Sequence, residues 1–146
     1  MLKTIRWSCP VVAGLLAACA AASAPDVIQP PSQTHEYTVV HGQRTAIPGE
    51  PLTLELTDVN DSRCPRDVQC VWAGHATVTL RVSQGGLAAE SLVIGSYAPA
   101  HMGLPAAATL GPYRFYLTGL TPAPVQAGPL PLSRYRATVR VLKLAR

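Results

Sequence analysis

The stretches LTLEL (residues 52–56) and ATVTLRVS (residues 76–83) put an apolar residue at every second position with a polar one between. Successive side chains of a strand point to opposite faces, so a period of two predicts half-buried β-strands with one face for a core. Tyr113, Phe115 and Leu117 alternate with Arg114, Tyr116 and Thr118, and Ala137, Val139 and Val141 alternate with Thr138 and Arg140, which adds two more strands. Weaker strand signals cover residues 37–40, 44–47 and 87–94. The last is entered through Gln84-Gly85-Gly86, a glycine pair suited to a hairpin turn.

No segment carries a helical period, and residues 106–108 lie too close to Pro105 and Gly111 to hold a helix alone. About seven short antiparallel strands with one apolar face each must bury those faces against one another, so the expected fold is all-β, an antiparallel β-sandwich. Two proline-rich connections, residues 96–112 and 121–133, exceed ordinary loop lengths.

Before the strands begin, the chain reads MLKTIRWSCPVVAGLLAACAA. Lys3 and Arg6 form a positive n-region, and the apolar stretch that follows has the length of an export signal and is too short to span a bilayer. Leu16-Ala17-Ala18-Cys19 matches a lipobox, in which the cysteine thiol is acylated before cleavage. The alternative is an ordinary secretory signal cut after Ala22-Ser23-Ala24, which would discard Cys19 together with Cys9. The expected organisation is a signal peptide over residues 1–18, a lipidated N-terminus and tether over 19–34, and one β-sandwich domain over 35–146. Alanine rather than aspartate after Cys19 resembles the sorting signal of Gram-negative lipoproteins, which implies the outer membrane of the cell envelope, facing the periplasm or the surface.

Composition narrows the partners. Removal of Lys3 and Arg6 leaves ten basic residues against eight acidic ones, and no contiguous basic stripe stands out, so no nucleic-acid partner is expected. The tether, rich in alanine and proline, would behave as a coil of about 20 Å span. Partners are therefore expected to be the membrane, through the N-terminal lipid, and an envelope protein or glycan.

With Cys9 removed and Cys19 acylated, Cys64 and Cys70 are the remaining thiols in an oxidising compartment and should pair. They sit in DSRCPRDVQCVWAGHATV, residues 61–78, which concentrates the chain's most versatile side chains. A redox pair would prefer two intervening residues and a following helix. A zinc site would need a fourth ligand beyond Cys64, Cys70 and His75. The EF-hand-like start at Asp58 fails where Arg63 takes the glycine position and Gln69 the glutamate position. A structural bridge remains, closing a seven-residue loop and worth about 2.3 kcal/mol in the chain-entropy model. Asp61 and Ser62 would hydrogen-bond the adjacent turn, while ion pairs of Arg63 or Arg66 with Asp61 or Asp67 would lie on the surface.

A DSRCP segment followed by a second cysteine and then Trp-x-Gly, here Asp61 to Pro65, Cys70, Trp72 and Gly74, resembles a group of small uncharacterised bacterial lipoproteins. The similarity covers about 20 residues, with a looser match at Tyr135 to Val139. It implies an envelope lipoprotein and carries no catalytic residue over.

No catalytic motif such as GxSxG or HExxH occurs, and no cofactor is expected. The chain is read as a non-catalytic envelope lipoprotein acting as a binding or structural module. The alternatives are an inhibitor of a lysozyme- or protease-type hydrolase, or a periplasmic metal-binding protein for which His101-Met102 would be a copper candidate. Candidate binding residues are Asp61, Arg63, Arg66, Asp67, the flank of Trp72, and His101. Trp72, two residues after Cys70, is expected mainly to pack over the disulfide as core.

Cys19→Ala is expected to abolish metabolic labelling of the chain with palmitate. Retained label would remove the lipoprotein assignment.

Overall fold

A computed structural model describes residues 35–96, 103–125, 128 and 130–144. Cys19 and His101 lie outside these, as do the expected signal and tether segments. Eight strands follow in chain order: β1 (His35–Val40), β2 (Arg44–Ala46), β3 (Leu52–Asp61), β4 (Ala76–Gln84), β5 (Glu90–Gly95), β6 (Ala107–Leu110), β7 (Tyr113–Thr121) and β8 (Arg136–Lys143). They form two four-stranded antiparallel sheets, ordered β1-β8-β7-β6 and β2-β3-β4-β5. The all-β sandwich is thus what the alternation predicted.

The core lies between the sheets. Leu52, Leu54 and Leu56 from β3, Val78, Leu80 and Val82 from β4, and Ile94 from β5 face Phe115 and Leu117 from β7, Val139 and Val141 from β8, and Val39 from β1. Along β3, β4, β7 and β8 each of these is buried while its strand neighbours are less so, the pattern of sheets that keep one face for each other and one for water.

One expected loop contains a strand. Within residues 96–112, β6 pairs with β7 from Ala107↔Tyr116 to Leu110↔Tyr113, closed by the two-residue turn Gly111-Pro112. Gly111 has φ +54°, a left-handed conformation open to glycine at low cost. The alanines of β6 give little alternating signal, which hides it from a pattern search. The hairpin at Gln84-Gly85-Gly86 forms as expected, with Leu87 N–H donating to the Gln84 carbonyl at 2.9 Å.

Two bulges change which side chains face inward. In β3 the register shifts between Leu56 and Asp58, and in β7 between Leu117 and Gly119. The extra residue in each is a threonine, and its hydroxyl bonds the neighbouring strand: Thr57 to the Thr79 carbonyl at 3.1 Å, Thr118 to the Thr138 carbonyl at 3.2 Å. Each bulge reverses the alternation beyond it. Val59 and Asp61 thereby pair with the inward-facing Val78 and Ala76, and Leu120 with Ala137. An uninterrupted β3 would have pointed Asp61 outward with Thr53 and Glu55.

Phe115 is the largest fully buried side chain. Phe115→Ala should cost about 3–5 kcal/mol, read as a lowered denaturation midpoint in chemical unfolding. A loss under about 1 kcal/mol would show that the sheets can close over the missing ring.

Candidate functional site

The segment between β3 and β4 continues their hairpin past the ends of the strands. Ser62 N–H donates to the His75 carbonyl at 2.9 Å and Cys64 N–H to the Ala73 carbonyl at 2.8 Å, which leaves Pro65 to Trp72 as the tip. The Cys64–Cys70 disulfide crosses this tip, with Cα atoms 5.9 Å apart. The expected bridge is therefore present.

Gly74 makes the hairpin possible. Its φ is +69°, and a Cβ there would lie 2.0 Å from the Ser62 carbonyl oxygen, inside the contact distance of two backbone segments. No side chain fits without separating the strands. The glycine at position 74 thus has a backbone cause.

The polar centre of the segment is Asp61. Its carboxylate accepts from the Arg63 N–H at 3.2 Å, from Arg63 Nε at 2.7 Å, from Arg63 Nη2 at 2.7 Å and from the Tyr135 hydroxyl at 3.1 Å. Arg63 reaches further, donating through Nη1 to the Leu120 carbonyl at 2.7 Å and through Nη2 to the Pro122 carbonyl at 2.9 Å. One guanidinium therefore joins the β3–β4 hairpin to the end of β7 in the opposite sheet. The tip makes a second link, from the Arg66 N–H to the Pro124 carbonyl at 3.1 Å.

This corrects the expectation of a surface ion pair. The side chain of Asp61 is only 4 % exposed and that of Arg63 22 %, because the β3 bulge turns the carboxylate into the gap between the sheets. Burial pushes the Asp61 carboxyl up, but Arg63's hydrogen bonds and charge, helped by the Tyr135 hydroxyl, outweigh it and hold the group below its ordinary value. Burial and the Asp61 charge raise Tyr135, which keeps its hydroxyl protonated as a donor. With these bonds made, Asp61 and Arg63 serve the fold and are poorly placed to serve a ligand.

Trp72 is corrected in the other direction. It is 73 % exposed and its neighbour Val71 97 %, so neither covers the disulfide. Arg66 and Asp67 are exposed at the same tip. Of the expected binding residues, Arg66, Asp67 and Trp72 thus share one projecting loop, Asp61 and Arg63 lie at its root, and His101 falls outside the described residues. Val71 was missed, although an apolar residue between Cys70 and Trp72, just past a disulfide loop that closes beyond the ends of the strands, has little core within reach.

Beside the root runs a cleft of about 350 Å³. Val59, Pro65, Pro124, Val125, Leu130 and Leu132 give it apolar walls, and Asp61, Arg63 and Tyr135 are its polar lining. Ser62 and His75 lie nearby without forming a nucleophile and base: the hydroxyl donates to the His75 carbonyl at 2.9 Å, with the imidazole Nδ1 3.5 Å away. Among the described residues, no group of three or more His, Cys, Asp or Glu side chains is placed to hold a metal ion. No described helix is long and apolar enough to cross a membrane. No family model, curated protein or solved structure matches the chain.

A carboxyl whose folded value is depressed stabilises the fold above its unfolded value near 3.9, and that contribution fades as pH falls through the lower folded value. Asp61→Asn should therefore cost about 2–3 kcal/mol at neutral pH, less than a fully buried pair because Arg63 is partly solvated. The variant should also lose less stability than the wild type as pH falls from about 5 through the lowered folded value of Asp61, the window in which the carboxyl takes up its proton. Urea unfolding at both ends of that window checks this, and parallel losses in the two proteins would remove Asp61 from the acid response.

Proposed function

We propose that the chain is a non-catalytic, lipid-anchored protein of the bacterial cell envelope whose sandwich presents the cross-linked β3–β4 tip to a binding partner. The lipobox at Cys19, and the likeness of residues 61–74 to small bacterial lipoproteins, support the anchor and the address. The observation that carries the binding role is the exposure of Val71 and Trp72 on a loop held by a disulfide, by the Gly74 close approach and by Arg63. Exposed apolar side chains on a preordered loop lose little conformational entropy when a partner covers them, so their burial goes largely into affinity. Tryptophan and arginine are also the residue types most often found at the energetic centre of interfaces, and the tip carries both Trp72 and Arg66, each exposed.

A second use of the same shape is inhibition of a hydrolase. A cross-linked loop with an exposed apolar pair directly after its disulfide is suited to dock at the cleft of a lysozyme- or protease-type enzyme. Substrate turnover by such an enzyme, unchanged at micromolar excess of the chain, would end that possibility.

The binding role is tested by Val71→Ser combined with Trp72→Ser. Both positions are exposed, so stability should stay within about 0.5 kcal/mol of wild type. The wild type should retain a partner from envelope fractions that the double variant does not, with the Trp72 emission shifting to the blue on binding. Equal retention by both proteins would place the binding surface elsewhere.

A further inference from the structure

The chain contains no aspartate or glutamate after Glu90, while Arg114, Arg134, Arg136, Arg140, Lys143 and Arg146 all follow it. Never adjacent in the sequence, these residues form no run. The fold gathers four of them on one sheet. The strands of the β1-β8-β7-β6 sheet carry Arg114, Arg136, Arg140 and Lys143 against one acid, Glu36. The strands of the other sheet carry Arg44 and Arg81 against Glu55, Asp58, Asp61 and Glu90. The two sheets of one sandwich thus have opposite charge.

Three of the arginines share one outer face. In β8, Ala137, Val139 and Val141 are buried, which leaves Arg136 and Arg140 on the opposite side. In β7, Phe115 and Leu117 are buried, which puts Arg114 and Tyr116 on that same side. Register brings them together: Arg140 lies opposite Tyr116 on one flank and Glu36 on the other, and Thr138 lies opposite Thr38. Glu36 engages only Arg140, at 3.3 Å, with both side chains nearly half exposed. Arg114 sits over the Tyr116 ring at 5.4 Å, and Arg136 has no ion-pair partner among the described residues. By contrast, Arg44 and Arg81 on the outside of the other sheet share a shallow depression with Glu55, which pairs with Arg44.

We infer that the outer face of the β1-β8-β7-β6 sheet is an electrostatic docking surface for the phosphate-bearing headgroups of an anionic bilayer. Charge complementarity identifies the occupant: guanidinium groups bind phosphate oxygens in pairs, and a sheet face offers several to a surface at once. Tyr116 and the threonines add an interfacial aromatic ring and hydroxyl donors. The choice of a bilayer over a soluble polyanion rests on the proposed lipid anchor. Cys19 precedes β1 by only fifteen residues, and β1 is an edge strand of this basic sheet. Anchoring at Cys19 would hold the face at high effective concentration beside the headgroups. A single arginine near such a surface contributes about fivefold in partitioning, so three give on the order of a hundredfold at low salt.

The test uses the full chain carrying Cys19→Ala, so that no acyl chain contributes, sedimented with vesicles of phosphatidylcholine with or without phosphatidylglycerol. Binding should be stronger to the anionic vesicles, and the difference should vanish in high salt, where surface charges are screened. Adding Arg114→Gln, Arg136→Gln and Arg140→Gln should erase at least tenfold of that preference, while lysine at the same three positions should keep most of it. Thermal unfolding of all three proteins should coincide, since each side chain faces outward. Equal binding to both kinds of vesicle, or a preference untouched by the glutamine variant, overturns the inference. So does tighter capture by soluble polyphosphate than by anionic vesicles, which would assign the face to a soluble polyanion. Because the acylation site is absent throughout, these outcomes leave the lipid-anchor assignment to palmitate labelling alone.

Discussion

The guanidinium of Arg63 is the contact on which the β3–β4 end of this sandwich depends. It closes on Asp61 in its own hairpin and reaches the carbonyls of Leu120 and Pro122 in the other sheet. Hydrophobic burial holds the sheets together but is non-directional, and alone it would let the β3–β4 tip swing relative to β7. Charge-assisted hydrogen bonds have a fixed geometry, and in a gap with little water they hold it strongly. Lysine could not replace this side chain, because one ammonium cannot form a planar fork to a carboxylate while serving two carbonyls.

The opposite end of β3 is tied by related chemistry. Glu50, just before β3, accepts from the Tyr113 hydroxyl of β7 and from Lys143 Nζ of β8 at 2.8 Å. The Lys143 bond, then the Tyr113 bond, hold its carboxyl below the ordinary value. At each end of β3, then, a carboxylate from one sheet meets a tyrosine hydroxyl from the other and a cation. The two ties differ in consequence. Lys143 is well exposed, so the Glu50 end is screened by water, whereas the Asp61 carboxylate lies in the gap beside the apolar core. Acid should loosen the Asp61 end with the greater effect on the tip.

The sheets were legible in the sequence because a half-buried strand advertises itself by alternation, and LTLEL and ATVTLRVS do so without interruption. Asp61 was misplaced for the same reason: extending the phase of Leu52, Leu54 and Leu56 puts it on the solvent side, and the bulge at Thr57 that reverses the phase leaves no mark in composition. Trp72 was misplaced by a preference for burying large aromatic rings, which its place beyond the ends of β3 and β4 overrode. The strand β6 was hidden by its small side chains, although the Gly111-Pro112 pair ahead of Tyr113 signals its turn. The disulfide was readable from the expectation that Cys9 is removed and Cys19 acylated, which leaves Cys64 and Cys70 a single pairing. The basic face was not, since its arginines are spread along β7 and β8 and only register makes them neighbours.

A division of labour follows from where the polar groups are spent. Asp61, Arg63 and Tyr135 have their strongest bonds directed inward, so the segment richest in reactive side chains is the one most committed to structure. What remains for other molecules is the Val71–Trp72 tip and the arginine face of the second sheet, and these surfaces call for opposite mechanics. A flat face bearing guanidinium groups acts at modest precision, because phosphate headgroups are numerous and mobile. An apolar pair on a narrow loop acts only when it is aimed. Arg63 connects the two requirements, since it fixes the tip to the end of β7, a strand that also carries Arg114 and Tyr116 on the basic face. If that face docks on a bilayer as proposed, the direction in which Trp72 points would be set by the same bonds that keep the carboxylate of Asp61 buried.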